Sequence, residues 1–209
     1  MPAPRKFSRE QLQAAALALV DEGGLGALTM RSLAARLGTG PMTIYNYVEG
    51  REGLEELVTE AVMAEAAWEA DPSHDWRRRV HAVAEGMWRA VRAHPAAVPL
   101  ILTRRGLDPG TLRPAEALLE ALAAGGRSGA DLLAAFRVVQ GFVAGLAQAE
   151  LGGDAQAAPA RVAALPPADF PHLIEMAGAA GASDPEQEFH AGMRIIIAGL
   201  GGDRPTVRR

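Results

Sequence analysis

The chain has 209 residues, 49% of them hydrophobic, and that share excludes a disordered polypeptide while the length allows one large or two modest domains. With no cysteine there are no disulfides and no thiolate metal sites. The formal net charge of −4 is unevenly divided: residues 1–48 carry five basic and three acidic groups, the remainder 16 and 22. A small basic head on a larger acidic body suits nucleic-acid binding at one end only.

The first helix is announced by Ser8 at its N-cap and Gln11 three residues on, a capping-box spacing, with Phe7 placed to staple against Leu12. Leu12, Ala15, Ala16, Leu19 and Val20 recur at helical spacing until Gly23-Gly24. Thr29 caps a second helix whose apolar positions are Met30, Leu33, Ala34 and Leu37, and Gly38 ends it. Thr39 is expected to cap a third, with Pro41 in its first turn and both of the chain's tyrosines, Tyr45 and Tyr47, on it. Two helices joined by a turn of roughly three to four residues are the geometry that lowers a helix into the DNA major groove.

A connecting helix is expected from Arg51 through Leu54, Leu57, Val58, Ala61 and Val62 towards Trp68, stopping near Asp71-Pro72. Helices follow from Asp75 to about Arg92, from Pro114 to Ala124, and from Asp131 to Leu151, with a short segment at 96–102 between the first two. Gly141 and Gly145 interrupt the third of these, and a glycine inside a helix costs about 1 kcal/mol relative to alanine, so both are expected to have a packing reason. Residues 152–168 read as a mobile connection, Phe170 to Ala180 as a short helix and Pro185 to Leu200 as the last one. Ile195-Ile196-Ile197 points in nearly every direction around that helix, so burial on most sides is expected there. The alanine-rich composition and the lack of alternating β-branched runs make the fold all-α.

The run Ala18-Leu19-Val20-Asp21-Glu22-Gly23, then Leu28-Thr29-Met30-Arg31-x-Leu33-Ala34-x-x-Leu37-Gly38, then Thr43-Ile44-Tyr45-x-Tyr47-Val48 and Arg51-x-x-Leu54, resembles the TetR family of bacterial regulators. The resemblance is strong over about 1–58 and weaker in the body, where 102–104, 170–173 and 189–193 resemble Tet repressor-like C-terminal domains. It implies an Ω-shaped homodimer with one DNA-binding head per protomer and a small-molecule pocket whose occupation releases DNA. Under it the DNA contacts fall on Thr29, Arg31, Pro41, Met42, Thr43, Tyr45, Asn46, Tyr47 and Arg51. The last position is commonly lysine in the family, and arginine keeps the charge while adding a second phosphate-facing N–H.

Within that set, the phenols of Tyr45 and Tyr47 suit phosphate or sugar with their rings packed on the head, and Ile44 and Val48 suit the core because they lie four apart. Met42, Thr43 and Asn46 are the candidate base readers. Arg5, Lys6 and Arg9 either track the DNA backbone, reach into the minor groove, or form a solvated tail. In the body, Met87, Trp88, Thr103, Arg104, Phe136, Gln140 and Phe142 are the candidate ligand-binding residues: an apolar lining with a few polar groups. The five histidines (His74, His81, His94, His172, His190) show no metal-ligand spacing, and neither a phosphate loop nor a nucleophile elbow occurs, so no metal, no cofactor and no enzyme activity are expected.

The expected organisation is a DNA-binding head at 1–52, a connecting helix at 51–70, and an effector-binding and dimerisation domain at 71–209, pairing through helices near 131–151 and 185–200. The expected partners are a double-stranded DNA operator, a small-molecule effector and a second copy. No signal peptide and no uninterrupted membrane-length apolar run is seen, so no membrane partner and a cytoplasmic location are expected. The function is then a repressor that releases a near-palindromic operator on binding its effector. The competing readings are a helical ligand carrier or enzyme with a vestigial head, and a sequence-tolerant architectural DNA protein, which the negative net charge disfavours.

Overall fold

The computed structural model describes residues 6–103, 109–151, 158–181 and 184–201, and every α-helix expected from the sequence is found among them. The first part of the chain forms α1 (Arg9–Gly23), α2 (Met30–Arg36), α3 (Pro41–Tyr45), α4 (Gly50–Ala64), α5 (Trp76–Ala93), α6 (Val98–Thr103) and α7 (Pro109–Ala124). The second part forms α8 (Gly129–Leu151), α9 (Ala158–Ala163), α10 (Pro171–Gly181) and α11 (Pro185–Gly201). No strand occurs among the described residues. Packing separates two compact units, Met1–Gly126 and Arg127–Arg209. The expected boundaries near 52 and 71 fall inside the first unit because α4 packs on α1 and also on α5, α6 and α7.

In the first unit, α1 starts on the expected capping box: Ser8 Oγ accepts from Gln11 N–H, and Gln11 Oε1 accepts from Ser8 N–H at 2.8 Å. Leu12, Ala16 and Val20 of α1 are buried, as are Leu57, Val58 and Val62 of the facing α4. Helix α4 stops at Ala64 rather than near Asp71, and its last turn tightens, with Glu65 N–H donating to the Val62 carbonyl. The chain then crosses α5 so closely that the Ala67 carbonyl occupies the place a Cβ on Gly86 would need. Helix α5 opens on Asp75, whose carboxylate accepts from Arg78 N–H at 2.8 Å, and buries Val80, Val83, Ala84, Met87, Trp88 and Val91. A 3-10 turn (Pro95–Ala97) leads into α6. Helix α7 begins at Pro109, not Pro114, because proline fits the first helical position where its missing N–H goes unused; Pro114 then lies inside the helix.

In the second unit, α8 packs on α11 and α9 on α10. The Phe142 and Phe189 rings lie 5.9 Å apart, and the Phe142 ring sits where Gly192 has no side chain. Helix α9 lies inside the stretch read as a connection, since Ala158-Pro159-Ala160 supplies a proline-tolerant first turn and strong helix formers. Three further expectations meet the structure here. Ile195 is 75% exposed, not buried. Gly141 and Gly145 face open space within the chain, so intrachain packing does not explain them. The segment Gly129–Ala149 is long and apolar enough, by length and composition, to cross a membrane, with 22% of its most apolar window buried; counting uninterrupted runs missed it because Arg137 divides the segment.

The Gly86 contact sets a test of the first unit. Replacing Gly86 with alanine pushes a methyl into the Ala67 carbonyl and should lower unfolding free energy by about 1–3 kcal/mol, read as a lower urea midpoint. An unchanged midpoint would contradict the close crossing.

Candidate nucleic-acid interface

Helices α2 and α3 owe their position to short-range bonds that sequence alone shows only in part. Thr29 caps α2: its Oγ1 accepts from Ser32 N–H at 3.0 Å, while Ser32 Oγ accepts from Thr29 N–H at 2.9 Å. The Ser32 hydroxyl then donates to the Ala27 carbonyl at 2.6 Å, fixing the turn before the helix. Gly38 makes the corner after α2 with φ +63°, a backbone region unfavourable to side chains. The next helix is capped by Gly40, not by Thr39 as expected. Thr39 Oγ1 instead donates to Thr43 Oγ1 at 3.1 Å, so the hydroxyl that would have capped is used one turn further on.

Helix α3 is only five residues long, and Tyr47 lies in the turn beyond it rather than on it. Ile44 and Val48 point inward and are 0% and 6% exposed, as their spacing requires. The opposite side presents Met42 at 75% and Tyr45 at 52% exposed, together with exposed Pro41 and Asn46. Thr43 and Tyr47 are half-buried, whereas Thr29 and Arg31 are exposed. About half of the Tyr45 side chain is thus open to solvent.

Tyr47 is held from behind. Its phenol oxygen accepts from Phe7 N–H at 3.0 Å, and the Phe7 ring lies 6.2 Å from its own. That leaves the phenol proton for an outward acceptor. A cleft of about 470 Å³ opens beside it, lined by Lys6, Phe7, Ser8, Arg9, Gln11 and Tyr47. Lys6 is exposed there, its ammonium 5.2 Å from the Phe7 ring centre; Arg5 lies outside the described residues.

Arg9 and Arg51 bond within the chain while their side chains stay 40% and 49% exposed. Arg9 grips the carboxylate of Glu60 with Nε and Nη2 at 2.8 and 2.6 Å, and Gln13 donates to the same group at 2.9 Å. Arg51 donates from Nε to Glu55 at 2.7 Å and from its two terminal nitrogens to the carbonyls of Leu28 and Leu25 at 2.9 and 3.0 Å. It ties the turn before α2 to the start of α4. Arg36 pairs with Glu22 at 2.5 Å, and that hydrogen bond holds the Glu22 carboxyl below the usual carboxylate range. Lys6 lines the cleft beside Tyr47, and Arg31 is exposed on α2.

The candidate ligand-binding residues fall in both units. Met87 and Trp88 are buried on α5, with Arg92 stacked 5.1 Å over the Trp88 ring. Thr103 is exposed, and its hydroxyl donates back to the Pro99 carbonyl at 2.9 Å. Phe136, Gln140 and Phe142 are half-buried on α8, and Arg104 lies outside the described residues. Sequence reading missed a cleft of about 400 Å³ in the first unit, lined by Trp68, Asp71, Arg79, Val83, Arg113 and Glu116 among others. Trp68, expected on the connecting helix, lies beyond the end of α4 and lines this cleft. Glu60 was missed too, although an acid three residues after Leu57 on an apolar helix face was a visible signal.

Glu60 is 1% exposed, so removing its cation leaves a buried charge with only Gln13 beside it. Arg9→Met should lower stability by about 2–3 kcal/mol, below the full cost of breaking a wholly buried pair because the Arg9 side chain is 40% exposed. Denaturant unfolding checks this, and a loss under about 0.5 kcal/mol, the usual size for a surface change, would contradict it.

Residues 12–58 match the family described as bacterial regulatory proteins, tetR family, and residues 69–202 match the tetracyclin repressor-like C-terminal domain. An HTH-type transcriptional regulator of Saccharopolyspora erythraea is 30% identical over 200 residues, covering 93% of this chain and 84% of that protein. The class A tetracycline repressor of transposon 1721 from Escherichia coli is 29% identical over 199 residues, covering 93% and 90%. Among solved structures, ActR of Streptomyces coelicolor in complex with actinorhodin superposes with a TM-score of 0.80 at 27% identity, covering 96% of this chain and all of that one. With both halves of the pattern matched, this chain belongs to the TetR family and is a DNA-binding transcriptional regulator with a helix-turn-helix head.

Proposed function

We propose that the protein is a homodimeric repressor that holds a near-palindromic operator and releases it when a small molecule binds its body. The observation that carries this reading is the outward face of α3, where Met42, Tyr45 and Asn46 stand exposed over a buried Ile44 and Val48. Residues 1–52 bind DNA in this reading, and 71–209 bind the effector and dimerise. Met42, Thr43 and Asn46 read base edges, with the threonine methyl suited to a thymine methyl. Tyr45, Tyr47, Thr29, Arg31 and Pro41 seat the head on the backbone. Arg51 contributes by fixing the turn before α2 and offers its remaining N–H groups to phosphate.

Dimerisation through α8 and α11 is supported by what those helices leave uncovered in a single chain. Leu133, Val138 and Ile195 are 47%, 52% and 75% exposed, and Gly141, Gly145 and Gly199 face open space. A second copy of the same helix pair would cover that surface as a four-helix interface. The same demand accounts for the apolar length of α8 without a membrane, and the protein works in the cytoplasm, where its DNA is.

Effector release requires the ligand to bind the DNA-free form more tightly, since equal affinity shifts nothing. Met87, Trp88, Thr103, Arg104, Phe136, Gln140 and Phe142 are the proposed ligand residues. Relatives named as tetracycline repressors, and ActR with bound actinorhodin, make tetracycline and actinorhodin the first effectors to try. The test is selection of bound fragments from the source genome, repeated with each candidate. A shared near-palindrome lost on addition of one compound is expected; ligand binding or turnover with no sequence-specific DNA affinity would favour the carrier or enzyme with a vestigial head.

Thr43→Ala combined with Tyr45→Phe should weaken operator binding by roughly tenfold or more while helicity and association state stay unchanged. Unchanged affinity would remove α3 as the reading element. Gly145→Trp, which meets nothing within its own chain, should leave folding intact and abolish the dimer by analytical ultracentrifugation. A dimer of normal strength would move the interface elsewhere.

A further inference from the structure

His94 ends α5 and opens the 3-10 turn that leads into α6, its backbone fixed by N–H donation to Val91 and carbonyl acceptance from Ala97. Its ring is 12% exposed and lies between two carboxylates. Nδ1 stands 2.9 and 3.1 Å from the Asp21 oxygens in the last turn of α1, and Nε2 stands 2.8 Å from Glu65 at the end of α4. A neutral imidazole has one N–H and one lone pair, so it donates to only one of these groups and sets its lone pair against the other. Only the imidazolium donates to both.

Several neighbouring charges on the surrounding elements already have partners of their own. On α1 Glu22 is held by Arg36, and on α4 Glu60 is held by Arg9. On α5 Arg89 pairs with Glu85 at 2.7 Å and Arg92 stacks on Trp88. The 3-10 turn and α6 carry no ionisable side chain.

We propose that His94 is a proton-operated latch that ties the ends of α1 and α4, the helices carrying the head, to the α5–α6 junction. Burial of the ring pulls its pKa down, but the hydrogen bonds to Glu65 and Asp21 and the attraction of both carboxylates outweigh it and hold the group above the ordinary value of 6.5. A histidine raised in the folded state adds stability that is complete below its unfolded pKa and lost as pH rises through the folded one. The latch is therefore closed on the acid side and opens as pH rises through a midpoint above the ordinary histidine value.

The test uses the full chain without DNA, so its outcome is separate from the DNA-binding reading. Histidine ring resonances are followed by NMR from pH 5.5 to 9, with His94 assigned by its loss in His94→Gln. His94 is expected to titrate above the ordinary histidine value, and Asp21→Asn or Glu65→Gln each to move its midpoint down. Amide exchange at residues 19–23 and 61–65, corrected for base catalysis, should rise roughly two- to fivefold as the midpoint is passed, the scale of a partly exposed ion pair. The rise should be absent in His94→Gln. A midpoint at or below the ordinary value, or the same exchange rise in His94→Gln, overturns the latch. If His94→Gln does not fold, the wild-type midpoint and its shift in Asp21→Asn decide the matter.

Discussion

The head depends on one buried charge. Glu60 sits in the middle of α4 at 1% exposure, and an ionised carboxylate there is tolerable only while its partners stay in place. Arg9 and Gln13 are those partners, and because they lie four apart on α1 they reach the same carboxylate from one helix face. Sliding or tilting of α1 on α4 would strand the charge. The two helices therefore behave as one rigid piece, to which α2 and α3 are attached.

That rigidity explains how so short a helix as α3 exists at all. Five residues cannot hold a helix by backbone bonds alone. Ile44 and Val48 anchor it in the core, and Gly53 lets α4 approach Val48, with only 3.0 Å from a would-be Cβ to the Val48 Cβ. Arg51 ties the preceding turn to α4 through the Leu25 and Leu28 carbonyls. The exposed face of α3 is thus held by its buried one, and changes along α4 are transmitted to it. At the far end of α4, Glu65 reaches His94, so the helix that carries the head is gripped at both its middle and its end.

Much of this was legible where a local bond decides the structure. Ser8 with Gln11 and Asp75 alone marked helix starts to within a residue, because a cap needs only its own side chain and the next turn. Thr39 misled because its hydroxyl had a competing partner in Thr43, a choice set by how α3 packs. The sequence did not show that Arg9 and Arg51 also bond within the chain, because their partners Glu60, Leu25 and Leu28 are distant in sequence. Trp68 was assigned to a helix because periodicity continues through residues 65–70, whereas the stop at Ala64 comes from tertiary contacts near Glu65 and Gly86. Ile195 was expected inside because an all-round apolar turn must be covered, and in one chain it is not. In the proposed dimer that cover falls to a second copy, which no single-chain periodicity specifies.

Under the proposed function, a symmetric dimer presents the reading helix α3 twice. Hydroxyl-radical footprinting of the full chain on a selected genomic fragment tests that arrangement most directly. Two protected patches related by a twofold axis, with centres one or more helical turns apart, are the expected result. A single unsymmetrical patch, or uniform protection along the fragment, would contradict it.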